Sequence, residues 1–222
     1  MILLACCLVG WQTVQGDASA PEVERLFKNK EIDRYTVVID SDGLIGKAHY
    51  EFEWKMSSGL ADAKSAQASI SVTFLNLRAK IGDDVAPKEK VFGSASYRLA
   101  ATGFPLNLSI GGKTSLFVMP LLSWYLPPAA VQEESKFSVP DTVFDNALHV
   151  TGDGNVKSDK QSQLVVELNL VFNVGDKPVP TKDKPPTLHS IATFNSKTAA
   201  LLSAEGEIDS PSGLATFRIK RK

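Results

Sequence analysis

Hydrophobic and polar residues alternate with a period of two along most of this chain. The clearest run is Tyr50-Glu51-Phe52-Glu53-Trp54-Lys55-Met56, in which every apolar side chain falls on one face and every charge on the other. Successive side chains of an extended strand point to opposite faces, so this run predicts a strand with one buried and one wetted side. Ile70-Ser71-Val72-Thr73-Phe74 repeats the pattern, and so does 91–99, where Val91, Gly93, Ala95, Tyr97 and Leu99 interleave with Ser94, Ser96 and Arg98. Further runs at 164–172, 190–195, 201–208 and 215–220 read the same way; in the last, Phe217 and Ile219 face opposite to Thr216, Arg218 and Lys220. These are strand signals rich in β-branched and aromatic residues.

Turn chemistry is expected to separate the strands at Gly152-Asp153-Gly154-Asn155, at Pro211-Ser212-Gly213 and in the proline-rich loop 177–186. Asp40-Ser41-Asp42-Gly43 is also read as a turn. With Glu51 it imitates part of a calcium loop, but Leu44 and Ile45 stand where that loop needs a ligand and a glycine. A period of 3.6 shows clearly only near the start, within 17–30. There Ser19 or Ala20 caps, Pro21 opens the first turn, and Val23, Leu26 and Phe27 form one stripe.

The first nine residues are apolar and contain both cysteines, Cys6 and Cys7. A membrane-spanning helix takes roughly 20 apolar residues, so this stretch matches the apolar region of an export signal instead. Val14 and Gly16 have the spacing of a cleavage site, giving an export segment of 1–16 and an expected exported location: periplasm, cell envelope or outside the cell. Leu3-Leu4-Ala5-Cys6 has the form of a lipobox, which would attach the protein to a membrane through a lipidated Cys6. No Lys or Arg precedes the run, which leaves a missing N-terminal piece or a buried strand as alternatives.

A longer-range pattern joins the strand runs. Leu75-Asn76-Leu77 through Gly82-Asp83 recurs as Leu168-Asn169-Leu170 through Gly175-Asp176, an offset of 176 − 83 = 93 residues. This predicts a duplication, with a first β half at 31–115, a connection at 116–139 and a second half at 140–222. The fold class expected is all-β with one short N-terminal helix. Its two antiparallel halves form one domain, packed as a sandwich or curled into one sheet or barrel, because either arrangement covers apolar faces and exposed edges.

Charge narrows the partners: 24 Lys+Arg oppose 25 Asp+Glu, so no overall field favours nucleic acid. His49, His149 and His189 lie far apart in sequence, with none of the short spacings of a zinc site, and neither a metal nor a cofactor is expected. The tight turn that presents a serine nucleophile is absent, and Gly111-Gly112-Lys113-Thr114 lacks the earlier glycine of a phosphate loop. Asn107-Leu108-Ser109 fits a glycosylation acceptor.

The candidate site is the irregular apolar stretch 116–131, broken by prolines and a poor match to either strand or helix. It has two readings: packing across the open end of the sheets, or a lid that offers Phe117, Met119, Leu122, Trp124, Tyr125 and Leu126 to an apolar ligand, a lipid or a protein partner. The run from Phe194 to Gly206, followed by Gly213-Leu214-Ala215-Thr216-Phe217-Arg218-Ile219, resembles uncharacterised exported bacterial β-rich proteins grouped as domains of unknown function. That resemblance implies a fold and no activity. The leading expectation is a non-enzymatic exported binding protein. A structural module pairing through sheet edges is the alternative. A hydrolase with an unfamiliar site is the third, and it requires His149 or His189 beside a carboxylate and a hydroxyl in a pocket.

Overall fold

The computed structural model describes residues 33–43, 46–62, 67–100, 103–109, 115–126, 136–144, 148–160, 162–174, 184–196, 198 and 200–222. The expected export segment 1–16 with Cys6, the helix within 17–30, and nearly all of the loop 177–186 lie outside the described residues.

The first half contributes β1 (Asp33–Gly43), β2 (Gly46–Asp62), β3 (Gln67–Ile81), β4 (Asp84–Val85), β5 (Glu89–Leu99) and β6 (Pro105–Leu106). A four-residue helix α1 (Ser115–Val118) runs into a 3-10 turn (Met119–Ser123). The second half contributes β7 (Lys136–Phe144), β8 (Leu148–Lys160), β9 (Gln163–Val174), β10 (Thr187–Asn195), β11 (Leu201–Ser210) and β12 (Gly213–Arg221). The predicted alternation is realised in β2, where Phe52, Trp54 and Met56 are buried and the residues between them face water, and the unpredicted β1 buries Tyr35, Val37 and Ile39 in the same way. It fails at the start of β5, where a register shift leaves Val91 exposed and turns Phe92 inward onto Phe52.

The strands form one sheet in the order β6-β5-β3-β2-β1-β12-β11-β10-β9-β8-β7, with β4 attached to β3. Each half is therefore an antiparallel meander, and the two join where the first and last strands pair, Val37 opposite Ile219. A single continuous sheet excludes the sandwich. The outer strands β6 and β7 are sequence neighbours, and Phe104 beside β6 approaches Phe144 of β7 to 6.1 Å between ring centroids. The sheet is thus curled nearly into a barrel, whose apolar inner face makes one core.

Two local expectations are corrected. Gly152-Asp153-Gly154-Asn155 is no turn but the middle of β8, paired with both β7 and β9. The glycines serve packing: a Cβ on Gly154 would stand 2.2 Å from the Phe137 ring, so the bare strand makes room for an aromatic laid across it. Asp40, Ser41 and Asp42 are likewise strand residues, paired with β2 and β12, and the chain reverses only between Gly43 and Gly46. The expected turn at Pro211-Ser212 does link β11 to β12.

The stretch read as a poor match to strand or helix nevertheless begins with short helical turns. Residues 115–123 form helical turns with Pro120 in the first turn of the 3-10 segment, where its missing N–H has no bond to lose. So short a helix has little stability alone; packing holds it.

Candidate functional site

The segment 115–126 lies against the inner face of the sheet. Phe117 meets Tyr50, Phe52 and Phe92, each with ring centroids 5.3 Å apart, all in the first half. Trp124 packs edge-on against Tyr35 of β1 at 6.1 Å, and Tyr125 stacks on Phe137 of β7 at 5.2 Å. One stretch of aromatic residues therefore touches both halves. Gly103 permits this approach, since its φ of +77° suits glycine and a Cβ there would press on Trp124 at 3.2 Å.

Of the six residues singled out from the sequence, Leu122, Trp124, Tyr125 and Leu126 are buried in the core, with Trp124 only 2% exposed. Phe117 and Met119 are half-buried. Met119, together with Leu116, forms one wall of a cleft of about 550 Å³, whose floor includes Leu148, Phe172, Ile208 and Ala215. It opens beside the Gly43–Gly46 and Ser212–Gly213 turns, where Asp42 and Ser212 are polar wall groups. Its size falls within the ~300–1,000 Å³ usual for small-molecule sites, and its walls are chiefly hydrocarbon. Sequence reasoning named Met119 but not the floor residues, which come from β8, β9, β11 and β12. Each carries a strand-like signal, and nothing local marks them as neighbours.

The histidines sit on the outer face, each beside a carboxylate. His49 Nδ1 lies 2.6 Å from Asp40, His149 Nδ1 2.9 Å from Asp141, and His189 Nε2 3.1 Å from Glu167. They are cross-strand or near-strand hydrogen-bonded pairs on a wetted surface, the sheet equivalent of spaced helix pairs. Neither His149 nor His189 lines the apolar cleft. Among the described residues no group of three His, Cys, Asp or Glu side chains converges as a metal site. No helix among them is long and apolar enough to cross a membrane.

Glu167 accepts hydrogen bonds from Lys157 at 2.8 Å and from His189, and these, the lysine first, hold its carboxyl below the ordinary 4.5. A carboxylate with a lowered folded pKa stabilises fully above its ordinary value and loses that contribution as pH falls through the folded one. Glu167→Gln should therefore flatten the acid limb of the stability curve below about pH 4.5. With a quarter of the side chain exposed, the effect expected is about 0.5 kcal/mol, read from urea midpoints on descending pH. A variant that steepens that limb would contradict the assignment.

Burial, unlike these hydrogen bonds, raises the pKa of an acid. It pushes Tyr35 and Tyr97 far above their ordinary 10.0, helped at Tyr35 by Asp33 and opposed by Arg221. Both hydroxyls keep their protons throughout the physiological range.

No family model matches the chain, and no curated relative matches it. Among solved structures, the chain is similar to a domain from Vibrio parahaemolyticus described as an outer membrane lipoprotein-sorting protein. That pair shows 10% identity and a TM-score of 0.29, covering 91% of this chain and 88% of the other. A DUF1329 family protein from Desulfovibrio piger is similar at 7% identity and a TM-score of 0.26, with the same two coverages, 91% and 88%. A LolA superfamily protein from Nitrosomonas europaea is similar at 9% identity and a TM-score of 0.22, covering 92% and 90%.

Proposed function

We infer that the chain is a non-enzymatic binding protein of the cell envelope or the secreted space, and that it holds an apolar ligand between the 115–126 segment and the inner face of its sheet. One observation carries this reading: the apolar cleft of about 550 Å³, walled by Leu116 and Met119 of the connection and floored by four strands. Export rests on the apolar N-terminal stretch. Pairing through sheet edges has weaker support. Pro140 and a register shift interrupt β7, and Lys88 and Lys90 flank the start of β5, devices that discourage strand addition.

The test is saturable binding of an environment-sensitive apolar dye. Met119→Glu places a carboxylate in the cleft wall, and the dye should bind about tenfold more weakly, since burying an unpaired charge costs at least the ~1.4 kcal/mol that tenfold represents. Met119 is half-buried, so the fold should persist by circular dichroism. Absence of saturable binding to the wild-type protein, or identical binding by the variant, would remove the cleft as a ligand site.

A further inference from the structure

On the outer face of the sheet, cations are commonly matched by carboxylates on a neighbouring strand. Arg78 of β3 reaches Glu51 of β2 at 3.8 Å, Arg218 of β12 reaches Asp40 of β1 at 3.7 Å, and Lys157 of β8 reaches Glu167 of β9 at 2.8 Å. The far end of β1 and β2 from the Gly43–Gly46 turn departs from this pattern. There the register sets Lys55 of β2 opposite Arg34 of β1, and on the other side the Lys222 backbone N–H bonds the Arg34 carbonyl oxygen. Three cations therefore share one cross-strand row. Lys220 stands in the next row, opposite Thr36.

Like charges placed opposite one another weaken a sheet, so this row works against the fold. Glu53 answers only Lys222, at 2.8 Å, and among the described residues Arg34, Lys55 and Lys220 have no ion pair. Asp33, beside Arg34, is bonded to Arg221. Four cations thus face one free-standing carboxylate. Around them the outer face is hydroxyl: Ser57, Ser71 and Thr73 continue it on β2 and β3. A hollow of about 730 Å³ lies among Arg34, Lys220 and Lys222. The net charge of −1 hides this corner, because acids gather elsewhere, with Glu205, Glu207 and Asp209 alternating along β11.

We propose that this corner is a docking surface for a bilayer carrying anionic phospholipids, held by contacts to phosphate groups without apolar insertion. Charge complementarity selects an anionic partner. The place of β1 selects the bilayer: β1 begins at Asp33, so the N-terminal stretch with Leu3-Leu4-Ala5-Cys6 joins the sheet beside the cationic row. A lipid on Cys6 and a basic corner would together supply the two signals that stable membrane attachment requires. The surface is independent of the apolar cleft, which opens at the opposite end of β1.

The experiment sediments the full chain with vesicles of phosphatidylcholine alone and of phosphatidylcholine mixed with phosphatidylglycerol. The mixed vesicles should bind about a hundredfold more tightly, at near fivefold for each net positive charge of the corner. Raising salt from about 0.1 M to about 1 M, which shortens the screening length from ~10 Å to ~3 Å, should erase that difference. Arg34→Gln combined with Lys220→Gln, both exposed, should weaken binding to the mixed vesicles about 25-fold, with the fold checked by circular dichroism. Lys80→Gln combined with Lys88→Gln makes the same charge change toward the Gly43–Gly46 end and should alter binding less than about twofold.

Binding to neither vesicle would overturn the proposal. So would equal binding to both, which would belong to the apolar N-terminal stretch. Equal weakening by the two double variants would make overall charge responsible and overturn the corner. If soluble polyphosphate binds through Arg34 and Lys220 while the mixed vesicles do not bind, the corner takes a dissolved polyanion and the bilayer is overturned.

Discussion

Replacing Trp124 with alanine is expected to lower the thermal midpoint by roughly 6–20 °C. That range combines a cost of about 3–5 kcal/mol for truncating a buried tryptophan with about 2–4 °C per kcal/mol for a chain of this size. The indole is 2% exposed, lies edge-on to Tyr35 and is approached by Gly103 from behind, so its removal leaves a void at the place where the connection meets β1. Trp124→Phe should recover most of the loss, because it keeps a ring there and deletes an N–H that has no partner among the described residues. Thermal unfolding followed by circular dichroism measures both. An alanine variant as stable as the wild type would mean that the segment does not occupy the inner face in solution.

A carboxylate in the seam between the halves should be more damaging still. Phe217 lies on the inner face of β12, 2% exposed, opposite Ile39 of β1 and Gly206 of β11. Phe217→Asp removes the ring, at about 3–5 kcal/mol, and adds an unpaired buried charge, at several more. The sum approaches the whole stability of an ordinary domain, about 5–15 kcal/mol. The variant should accumulate as unfolded, protease-sensitive protein. Phe217→Leu, which stays apolar, should fold with a lowered midpoint. The position matters because β12 is the strand through which the two meanders become one sheet. A soluble Phe217→Asp protein with the wild-type midpoint would show that β1 and β12 do not form the seam.

The strands were legible because alternation is a local property. Residues 50–56 announce a buried and a wetted face, and β2 buries Phe52, Trp54 and Met56 while exposing more of the charges between them. The misreading of 152–155 has an equally local origin. Glycine and aspartate are turn formers by conformational preference, and only the presence of Phe137 across the sheet explains glycine in the middle of β8. The candidate site was half legible. Composition alone marked 116–131 as apolar and irregular, and so found Met119. It did not find Leu148, Phe172 or Ile208, because residues that alternate correctly in three different strands look alike until the strands are ordered.

The duplication read from Leu75-Asn76-Leu77 and Leu168-Asn169-Leu170 fits the meander order of the two halves. Asn76 donates to Glu53 at 3.1 Å and Asn169 to Asp153 at 3.3 Å, each on the preceding long strand. His49 and His149 likewise each face an aspartate on the strand before. We propose common descent for the halves on these paired contacts.

Taken alone, the sequence determined that this chain is built of amphipathic strands, that it has one apolar stretch unlike the others, and that no familiar catalytic spacing is present. Each of these depends on neighbours within a few residues, where strand geometry and turn preference act directly. The tertiary structure decided the rest: the pairing of the first strand with the last, the curl that brings Phe104 to Phe144, the descent of Trp124 onto Tyr35, and the alignment of Lys55, Arg34 and Lys222 in one cross-strand row. Those outcomes depend on contacts across tens to nearly two hundred residues, which arise from covering one continuous apolar face and leave no periodic trace in the chain.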